Sequence, residues 1–550
     1  MPPRLWIYDT TLRDGAQREG LALSVEDKFH IAQRLDGLGI PFIEGGWPGA
    51  NPKDGQFFER LAQQPLQQAQ AVAFCSTRRP HRLAAEDITL AAAIAARTEW
   101  ITLFGKSWDL HVTDSLKTEL DENLAMIYDS VAYLRSQGRR VIYDAEHWFD
   151  GFAHNPDYAV QTLEAAVRAG AEWLVLCDTN GGMLPHQVSS TVRTVRQWLD
   201  TLKVTTPPGI GIHTHNDGEL AVANALAAVM EGATMVQGTF NGYGERCGNA
   251  NLCSLLPNLQ LKLGYRCIPP RQLSTLAETS RYISEIANLA PDDHAPYVGL
   301  SAFAHKGGIH VSAVERNPKT YEHIDPSDVG NRRRIVISEQ SGLSNIVAKA
   351  RCFGLDLDRA NPRSRELLAR LKHLEQEGYQ FEAAEASFEL LMREALDRRP
   401  AMFVIKGFQV HCGQKDLLSA DFQATSNSGR SHALATVKVA VKGKDLLHAA
   451  EGDGPVEALD QALRKALEQF YPELARFYLT DYKVRILDST AGTAAKTRVL
   501  VESSDGAQRW TTVGLSTNII DASYQAVVEG LEYGLLRLYS PATAKLLTHS

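Results

Sequence analysis

The first half of the chain repeats one pattern, a short apolar run followed by a stretch with helical spacing of apolar residues. The pattern occurs eight times before about residue 270, with predicted strands at 5–8, 42–44, 71–74, 100–104, 141–145, 173–177, 210–213 and 234–238. Such alternation is typical of βα units around a parallel sheet. Eight units in about 250 residues fit a TIM barrel, with a doubly wound sheet as the competing arrangement.

Polar side chains follow seven of these eight predicted strands. In a barrel the carboxyl ends of the strands meet at one face, so these side chains are expected to lie close together. Taken alone, the adjacent pair Arg13 and Asp14 also fits a solvated salt bridge. The groups are Arg13-Asp14, Glu44, Lys106, Asp144 with Glu146 and His147, Asp178-Thr179-Asn180, His213 through Asp217, and Asn241 through Asn251.

Two of these groups suggest a metal site. His213 and His215 are two residues apart on a predicted strand end, so their imidazoles point to the same side and are able to share a cation. Pairs of this spacing also arise by chance in a long chain. Asp14 would add a carboxylate, and Asn249 could complete the set through its carbonyl oxygen, although its Gly-rich surroundings also fit an ordinary turn.

Composition narrows the class of protein. The 550 residues are 44% apolar and 22% charged, values typical of a globular chain of several domains. A net charge of −8 argues against a nucleic-acid partner. The seven cysteines include no Cys-x-x-Cys pair, and no apolar run approaches the roughly 20 residues that cross a bilayer. We therefore expect a cytoplasmic protein with no membrane partner.

The second half of the chain differs from the first. Residues 271–400 read as small helical subdomains that link the barrel, residues 1–270, to a C-terminal domain, residues 401–550. In this last domain a strand, a turn, a second strand and a helix occur twice, beginning at residues 436 and 497. The repeat predicts an α+β domain with a ββα pseudo-repeat.

Three motifs carry a resemblance to a known family. Asp9-Thr-Thr-Leu-Arg-Asp-Gly-Ala-Gln17, His213-Thr-His-Asn-Asp217 and Asn241-Gly-Tyr-Gly-Glu-Arg-Cys-Gly-Asn-Ala250 resemble the 2-isopropylmalate, homocitrate and citramalate synthases, the acyl-CoA-condensing DRE-TIM metallolyases. Phe303-Ala-His-Lys-Gly-Gly-Ile-His310 resembles their linker. The C-terminal repeat resembles their leucine- or isoleucine-sensing regulatory domain, which implies isoleucine as effector.

Within this family two segments narrow the resemblance. Residues 44–54 and 379–384 are most similar to the long citramalate synthases, which make an isoleucine precursor from pyruvate. The resemblance therefore implies condensation of acetyl-CoA with pyruvate and water to give (R)-citramalate and CoA. The nearest rival is the same chemistry on 2-oxoisovalerate, as in 2-isopropylmalate synthase. More distant rivals are a lyase resembling hydroxymethylglutaryl-CoA lyase, with Cys247 as its reactive thiol, and a catalytically silent binding protein.

The resemblance also assigns the metal ligands. It implies that Asp14, His213, His215 and Asn249 bind a divalent cation, which holds the 2-oxo acid through its keto and carboxylate oxygens. Mg or Mn is expected, and imidazole ligands are compatible with Zn as well.

The other implied roles concern substrates and proton transfer. The resemblance implies that Arg13 stabilises the developing alkoxide, that Glu44 orients Arg13, and that Thr179 holds the substrate carboxylate. Glu146 would lie near the acetyl-CoA methyl group. His310 would be the base, reaching the barrel from the linker, and from the partner subunit if the protein is a homodimer.

Two positions depart from the family pattern. Ser312 stands where related synthases usually carry an acidic residue, two places after the linker histidine. Asp144 occupies a pyruvate-facing position where some related synthases have tyrosine, and Tyr143 precedes it. The sequence therefore leaves the assignment of the substrate-pocket residues open. Phe104 and Trp108 would either narrow the pocket for a small acid or simply pack in the core.

Overall fold

The computed structural model describes residues 2–414 and 431–539, which form two compact units. The first unit contains the described residues up to 303 together with residues 323–333. The second contains residues 304–322 and the described residues from 334 onward. All seven cysteines are free thiols. Among the described residues no helix combines the length and apolar character that crossing a membrane requires.

Eight parallel strands close a barrel in the first unit, in the order of the sequence. The predicted TIM barrel is confirmed, and the doubly wound alternative is wrong because β8 pairs with β1. The strands are β1 (Trp6–Asp9), β2 (Phe42–Gly46), β3 (Gln70–Ser76), β4 (Trp100–Lys106), β5 (Arg140–Glu146), β6 (Trp173–Asp178), β7 (Gly209–Thr214) and β8 (Met235–Gly238).

Helices surround this barrel, and their ends follow local capping rules. The first has Ser24 as its N-cap: the Ser24 hydroxyl accepts from the Asp27 N–H, and the Asp27 carboxylate accepts from the Ser24 N–H. Its C-cap is the left-handed Gly39. The helices are α1 (Val25–Leu38), α2 (Pro52–Gln63), α3 (Ile88–Ala95), α4 (Leu120–Ser136), α5 (Trp148–His154), α6 (Pro156–Ala169), α7 (Pro185–Thr201), α8 (Ala221–Met230), α9 (Leu252–Pro257) and α10 (Leu276–Ile286).

The barrel interior is built in layers because every second strand residue points inward. One layer is apolar and includes Phe42, Trp100, Ile142 and Met235. The inward positions two residues further along the strands form the next layer, which is mostly polar. We call it the polar layer: it consists of Glu44, Phe74, Thr102, Asp144, Cys177, His213 and Gln237, all buried.

The second unit begins with a pair of short parallel strands and four helices. The strands are β9 (Ala304–His305) and β10 (Arg334–Ile335). The helices are α11 (Gly308–Arg316), α12 (Leu343–Cys352), α13 (Pro362–Glu377) and α14 (Glu385–Ala395). The predicted helical character of this part is confirmed, whereas the division at residues 270 and 400 stays a prediction.

The rest of the second unit contains two three-stranded antiparallel sheets, each followed by a helix. Both predicted ββα units are present, and a third strand that the sequence pattern did not indicate precedes each. One of these extra strands, Tyr478–Ile486, is exposed along nearly its whole length, so it lacks the alternation that reveals a half-buried strand. The elements are β11 (Val404–Gln414), β12 (Ser431–Val441), β13 (Lys444–Gly452), α15 (Pro455–Leu467), β14 (Tyr478–Ile486), β15 (Thr497–Ser504), β16 (Arg509–Ser516) and α16 (Ile519–Tyr539).

Candidate functional site

A cavity of about 210 Å³ lies at the carboxyl ends of the barrel strands. The residue types in its lining are mixed, with acids, bases, imidazoles and aromatic rings. Most of the site residues predicted for the barrel line this cavity, namely Arg13, Asp14, Asp144, Glu146, Thr179, His213 and His215. Glu44 and Asn249 are buried directly behind lining residues and contact Arg13 and Asp14, respectively.

Asp14, His213 and His215 form a compact buried cluster of potential metal ligands. The Asp14 Oδ2 lies 3.3 Å from Nε2 of His213 and 3.7 Å from Nε2 of His215. The two Nε2 atoms are 3.1 Å apart. Metal–nitrogen bonds of about 2.1 Å at right angles place neighbouring ligand atoms about 3 Å apart. The spacing of these side chains therefore fits a shared cation.

Asn249 adds an amide to the cluster. Its Nδ2 lies 3.0 Å from the Asp14 Oδ2, while its Oδ1 is buried without a hydrogen-bond partner among the described residues. Rotation of the amide by 180° exchanges these two atoms and turns the carbonyl oxygen toward the cluster. A Cβ on Gly244 would lie 1.9 Å from the Asn249 Oδ1, so only glycine at this left-handed position leaves room for the amide.

The charges of the cluster favour metal-binding forms. Burial alone would raise the pKa of the Asp14 carboxyl, but Arg13 and His213 together lower that pKa below its usual range. Burial, with His213 nearby, lowers the pKa of His215 to about 4. At neutral pH Asp14 therefore offers a carboxylate and His215 a neutral imidazole, the forms that bind cations. For His213, burial lowers the pKa but contact with Asp14 outweighs it, and the pKa is raised.

Arg13 is held beside the cluster by a buried acid. Its Nε donates to the Glu44 Oε2 over 2.7 Å, and its guanidinium lies 3.9 Å from the centre of the Phe74 ring. Glu44 also accepts from the hydroxyls of Thr10 and Tyr8, at 2.5 and 2.7 Å. These contacts fix a permanent positive charge at the edge of the cavity.

Gln237 is a residue that the sequence analysis missed. Its Oε1 lies 2.8 Å from the His213 Nδ1, and its Nε2 donates to the Asp144 Oδ1 over 3.0 Å. Burial, reinforced by Glu44, raises the pKa of Asp144 to about 7. The only signal in the sequence was a polar side chain inside a strand of otherwise apolar or small residues, Met235–Gly238.

Thr179 and Glu146 line another part of the cavity. The Thr179 hydroxyl accepts from the His147 N–H over 2.9 Å, and the Thr179 carbonyl accepts from Arg246 over 2.7 Å. Glu146 is paired with Lys106. The Thr179 hydroxyl hydrogen is thus available for a ligand, whereas the Glu146 charge is partly balanced.

Three aromatic rings form one wall of the cavity. Trp47 meets the edges of Phe74 and Phe104, with ring centres 5.8 and 5.4 Å away. The prediction that Phe104 narrows the pocket agrees with this wall. Trp108 is not among the lining residues; it is half-buried and stacks on His111 with ring centres 5.3 Å apart.

Comparison with known proteins assigns the chain to a family. Residues 4–283 match the HMGL-like family, residues 297–379 the homocitrate synthase post-HMGL domain-like family, and residues 382–535 the LeuA allosteric (dimerisation) domain. An (R)-citramalate synthase of Synechocystis sp. is 68% identical over 532 residues, covering 96% of both chains. The chain belongs to the (R)-citramalate synthase family.

Relatives at lower sequence identity also align over nearly the full length of the chain. An (R)-citramalate synthase of Aquifex aeolicus is 50% identical over 98% of this chain and 99% of its own. A probable 2-isopropylmalate synthase of Methanopyrus kandleri is 32% identical over 96% of this chain and 98% of its own. The resemblance read from the three motifs is confirmed, and it spans nearly the whole chain.

The two remaining predicted residues of this citramalate synthase family member, His310 and Cys247, belong to different units. His310 belongs to the second unit, on α11, where its ring lies 4.3 Å from that of Tyr321. Cys247, the reactive thiol of the lyase alternative, is exposed and is not among the residues that line the cavity.

The close approach of Gly244 to the Asn249 amide yields a prediction for the candidate metal site. In Gly244→Ala the new methyl group displaces the Asn249 amide, so the affinity for Mn²⁺ should fall. The expected loss is about 10- to 100-fold, at least the loss that is typical when a residue hydrogen-bonded to a metal ligand is removed. Titration of the purified variant with Mn²⁺ measures this. Gly182→Ala is the matched control, because a Cβ there meets no atom within 4 Å. Equal Mn²⁺ affinities for the two variants would contradict the prediction.

Proposed function

We propose that this chain condenses acetyl-CoA with pyruvate and water to give (R)-citramalate and CoA, in isoleucine biosynthesis. The observation that carries the proposal is the buried Asp14, His213 and His215 cluster beside Arg13 in a cavity of about 210 Å³. The small cavity and its aromatic wall favour a small 2-oxo acid. The 68% identity to a citramalate synthase, against 32% to a probable 2-isopropylmalate synthase, supports the same choice.

Asp14, His213, His215 and the Asn249 carbonyl would hold a divalent cation, Mg or Mn, with Zn also compatible with imidazole ligands. When bound, the cation supplies Lewis-acid polarisation of the keto group and a fixed orientation for the 2-oxo acid. Glycine at position 244 leaves room for the Asn249 amide. The chemistry of this donor set fits a cation that keeps open positions for a substrate.

Arg13, Thr179 and Asp144 would position the 2-oxo acid. The Arg13 guanidinium, anchored by Glu44, stabilises the negative charge that develops on the keto oxygen, and its fixed position costs no reorganisation at the moment of reaction. The Thr179 hydroxyl accepts from the His147 N–H and donates to the substrate carboxylate. Asp144 lines the cavity and would face the bound pyruvate.

Carbon–carbon bond formation needs a base for the acetyl-CoA methyl group. His310 is proposed as this base, because the imidazole side chain is the one that most often serves as a general base in enzymes. Glu146 would lie beside the acetyl group. The enolate formed by proton removal attacks the keto carbon, and hydrolysis of the thioester then makes the overall reaction irreversible.

The 2-oxo acid profile tests the proposed reaction. With acetyl-CoA and Mn²⁺ present, pyruvate should give a higher kcat/KM than 2-oxoisovalerate, because a branched side chain must enter a small cavity walled by Trp47 and Phe104. Release of free CoA measures the rate with each acid. Faster turnover of 2-oxoisovalerate would assign the chain to the leucine branch, and no CoA release with any 2-oxo acid would favour a binding protein.

A single substitution tests the proposed base. His310→Ala should lower kcat about 100-fold or more, the usual contribution of general base catalysis, with Mn²⁺ affinity unchanged. His373→Ala is the matched control, since this histidine lies in the same unit with a side chain 70% exposed. Full turnover by His310→Ala would eliminate His310 as the base.

The C-terminal part is proposed to be regulatory, within a chain divided into a catalytic domain at 1–270, a helical linker at 271–400 and a regulatory domain at 401–550. The match to the LeuA allosteric (dimerisation) domain supports this role and a homodimer. A cytoplasmic location stays a prediction. In a dimer, His310 would act in the partner's site or in its own.

Isoleucine is proposed as the feedback effector. Addition of isoleucine should lower the rate of CoA release from acetyl-CoA and pyruvate, because an effector that binds the less active state shifts the population toward it. Leucine at equal concentration is the control. A rate that stays constant up to saturating isoleucine would remove this effector assignment.

A further inference from the structure

Three buried side chains of the polar layer form a hydrogen-bonded series that ends at His213, one of the three candidate metal ligands. Asp144 on β5, Gln237 on β8 and His213 on β7 come from three different strands. We propose that Gln237 is a positioning residue that, together with Asp144, holds His213 in the tautomer that binds a cation. The proposal rests on the proposed function, in which His213 is a metal ligand.

The contacts of the series are short. The Gln237 Oε1 lies 2.8 Å from Nδ1 of His213, on the side of the ring away from the metal cluster. The Gln237 Nε2 lies 3.0 Å from the Asp144 Oδ1. Gln237 is 1% exposed, so the protein supplies its hydrogen-bond partners.

The chemistry of the terminal acid gives the series a direction. In the structure the Gln237 amide group points its Nε2, which only donates, at the Asp144 Oδ1, and this carboxyl oxygen accepts the hydrogen bond. The Gln237 carbonyl oxygen then faces His213 and accepts from its Nδ1–H. In a neutral imidazole this leaves the lone pair on Nε2, the atom 3.3 Å from the Asp14 carboxylate. Without the acid, the Gln237 amide has no preferred orientation, and neither does the tautomer of His213.

The neighbouring histidine shows that this support is specific to His213. The His215 Nδ1 is buried and has no hydrogen-bond partner among the described residues. The two imidazoles therefore differ, although both direct Nε2 at Asp14. Of these two, His213 is the one whose tautomer the chain fixes through side-chain hydrogen bonds. Partners of this kind are typically worth 10- to 100-fold in metal affinity.

Binding of Mn²⁺ without substrates tests the proposal. Free Mn²⁺ is counted by electron paramagnetic resonance, so the readout is independent of turnover. Gln237→Met has nearly the same shape but accepts no strong hydrogen bond, and it should weaken Mn²⁺ binding about 10- to 100-fold. Gln237→Leu is a second variant with the same expectation. Near-ultraviolet circular dichroism identifies which variants keep the native packing.

A reciprocal exchange is the sharper test. In the double variant Asp144→Asn, Gln237→Glu the new carboxylate at position 237 accepts from the His213 Nδ1–H and from the new amide at position 144. The tautomer of His213 is preserved, so Mn²⁺ affinity should return to within about threefold of wild type. Thr102→Val is the matched control: Thr102 lies in the same layer but bonds to Tyr8, so Mn²⁺ affinity should not change.

The outcomes separate the two proposals. If the wild-type protein binds Mn²⁺ and Gln237→Met binds it equally well, the role of Gln237 is overturned while the metal site stands. A double variant that binds as weakly as Gln237→Met would also overturn it, because the effect would then come from packing. If the wild-type protein itself fails to bind Mn²⁺, the proposed function loses its metal site and the role of Gln237 falls with it.

Discussion

A closed barrel shields its interior from water, so a polar side chain placed there is stabilised mainly by hydrogen-bond partners within the protein. This requirement shapes the polar layer. Glu44 accepts from Arg13, Thr10 and Tyr8, and Gln237 connects Asp144 to His213. The side chains of the apolar layer beneath it need few hydrogen-bond partners. The site residues are therefore fixed before any substrate arrives.

The same enclosure sets the electrostatics of the site. Burial penalises each charge, and partners decide which groups stay ionised. Arg13 and His213 outweigh the burial of Asp14, whereas Asp144 faces the repulsion of Glu44 and has its pKa raised to about 7. The pKa values of these two buried acids are therefore shifted in opposite directions.

The sequence predicted the parts of this arrangement that depend on local pattern. Eight apolar runs predicted the barrel, and the spacing of His213 and His215 after one strand predicted that both imidazoles face one side. Gln237 was not predictable, because its partners on β5 and β7 are distant in sequence. The strand Tyr478–Ile486 was also missed, since an exposed strand carries no burial pattern. Trp108 shows that closeness in sequence to a strand end does not by itself predict a cavity residue, because its ring packs on His111.

The buried cluster of Asp14, His213 and His215 is proposed to work by holding a divalent cation that takes part in the condensation. Its most direct test is turnover of acetyl-CoA and pyruvate by protein freed of metal with a chelator and then dialysed. Release of CoA should stop in the metal-free protein and return when a single equivalent of Mn²⁺ per chain is added. Undiminished turnover by the metal-free protein would contradict it.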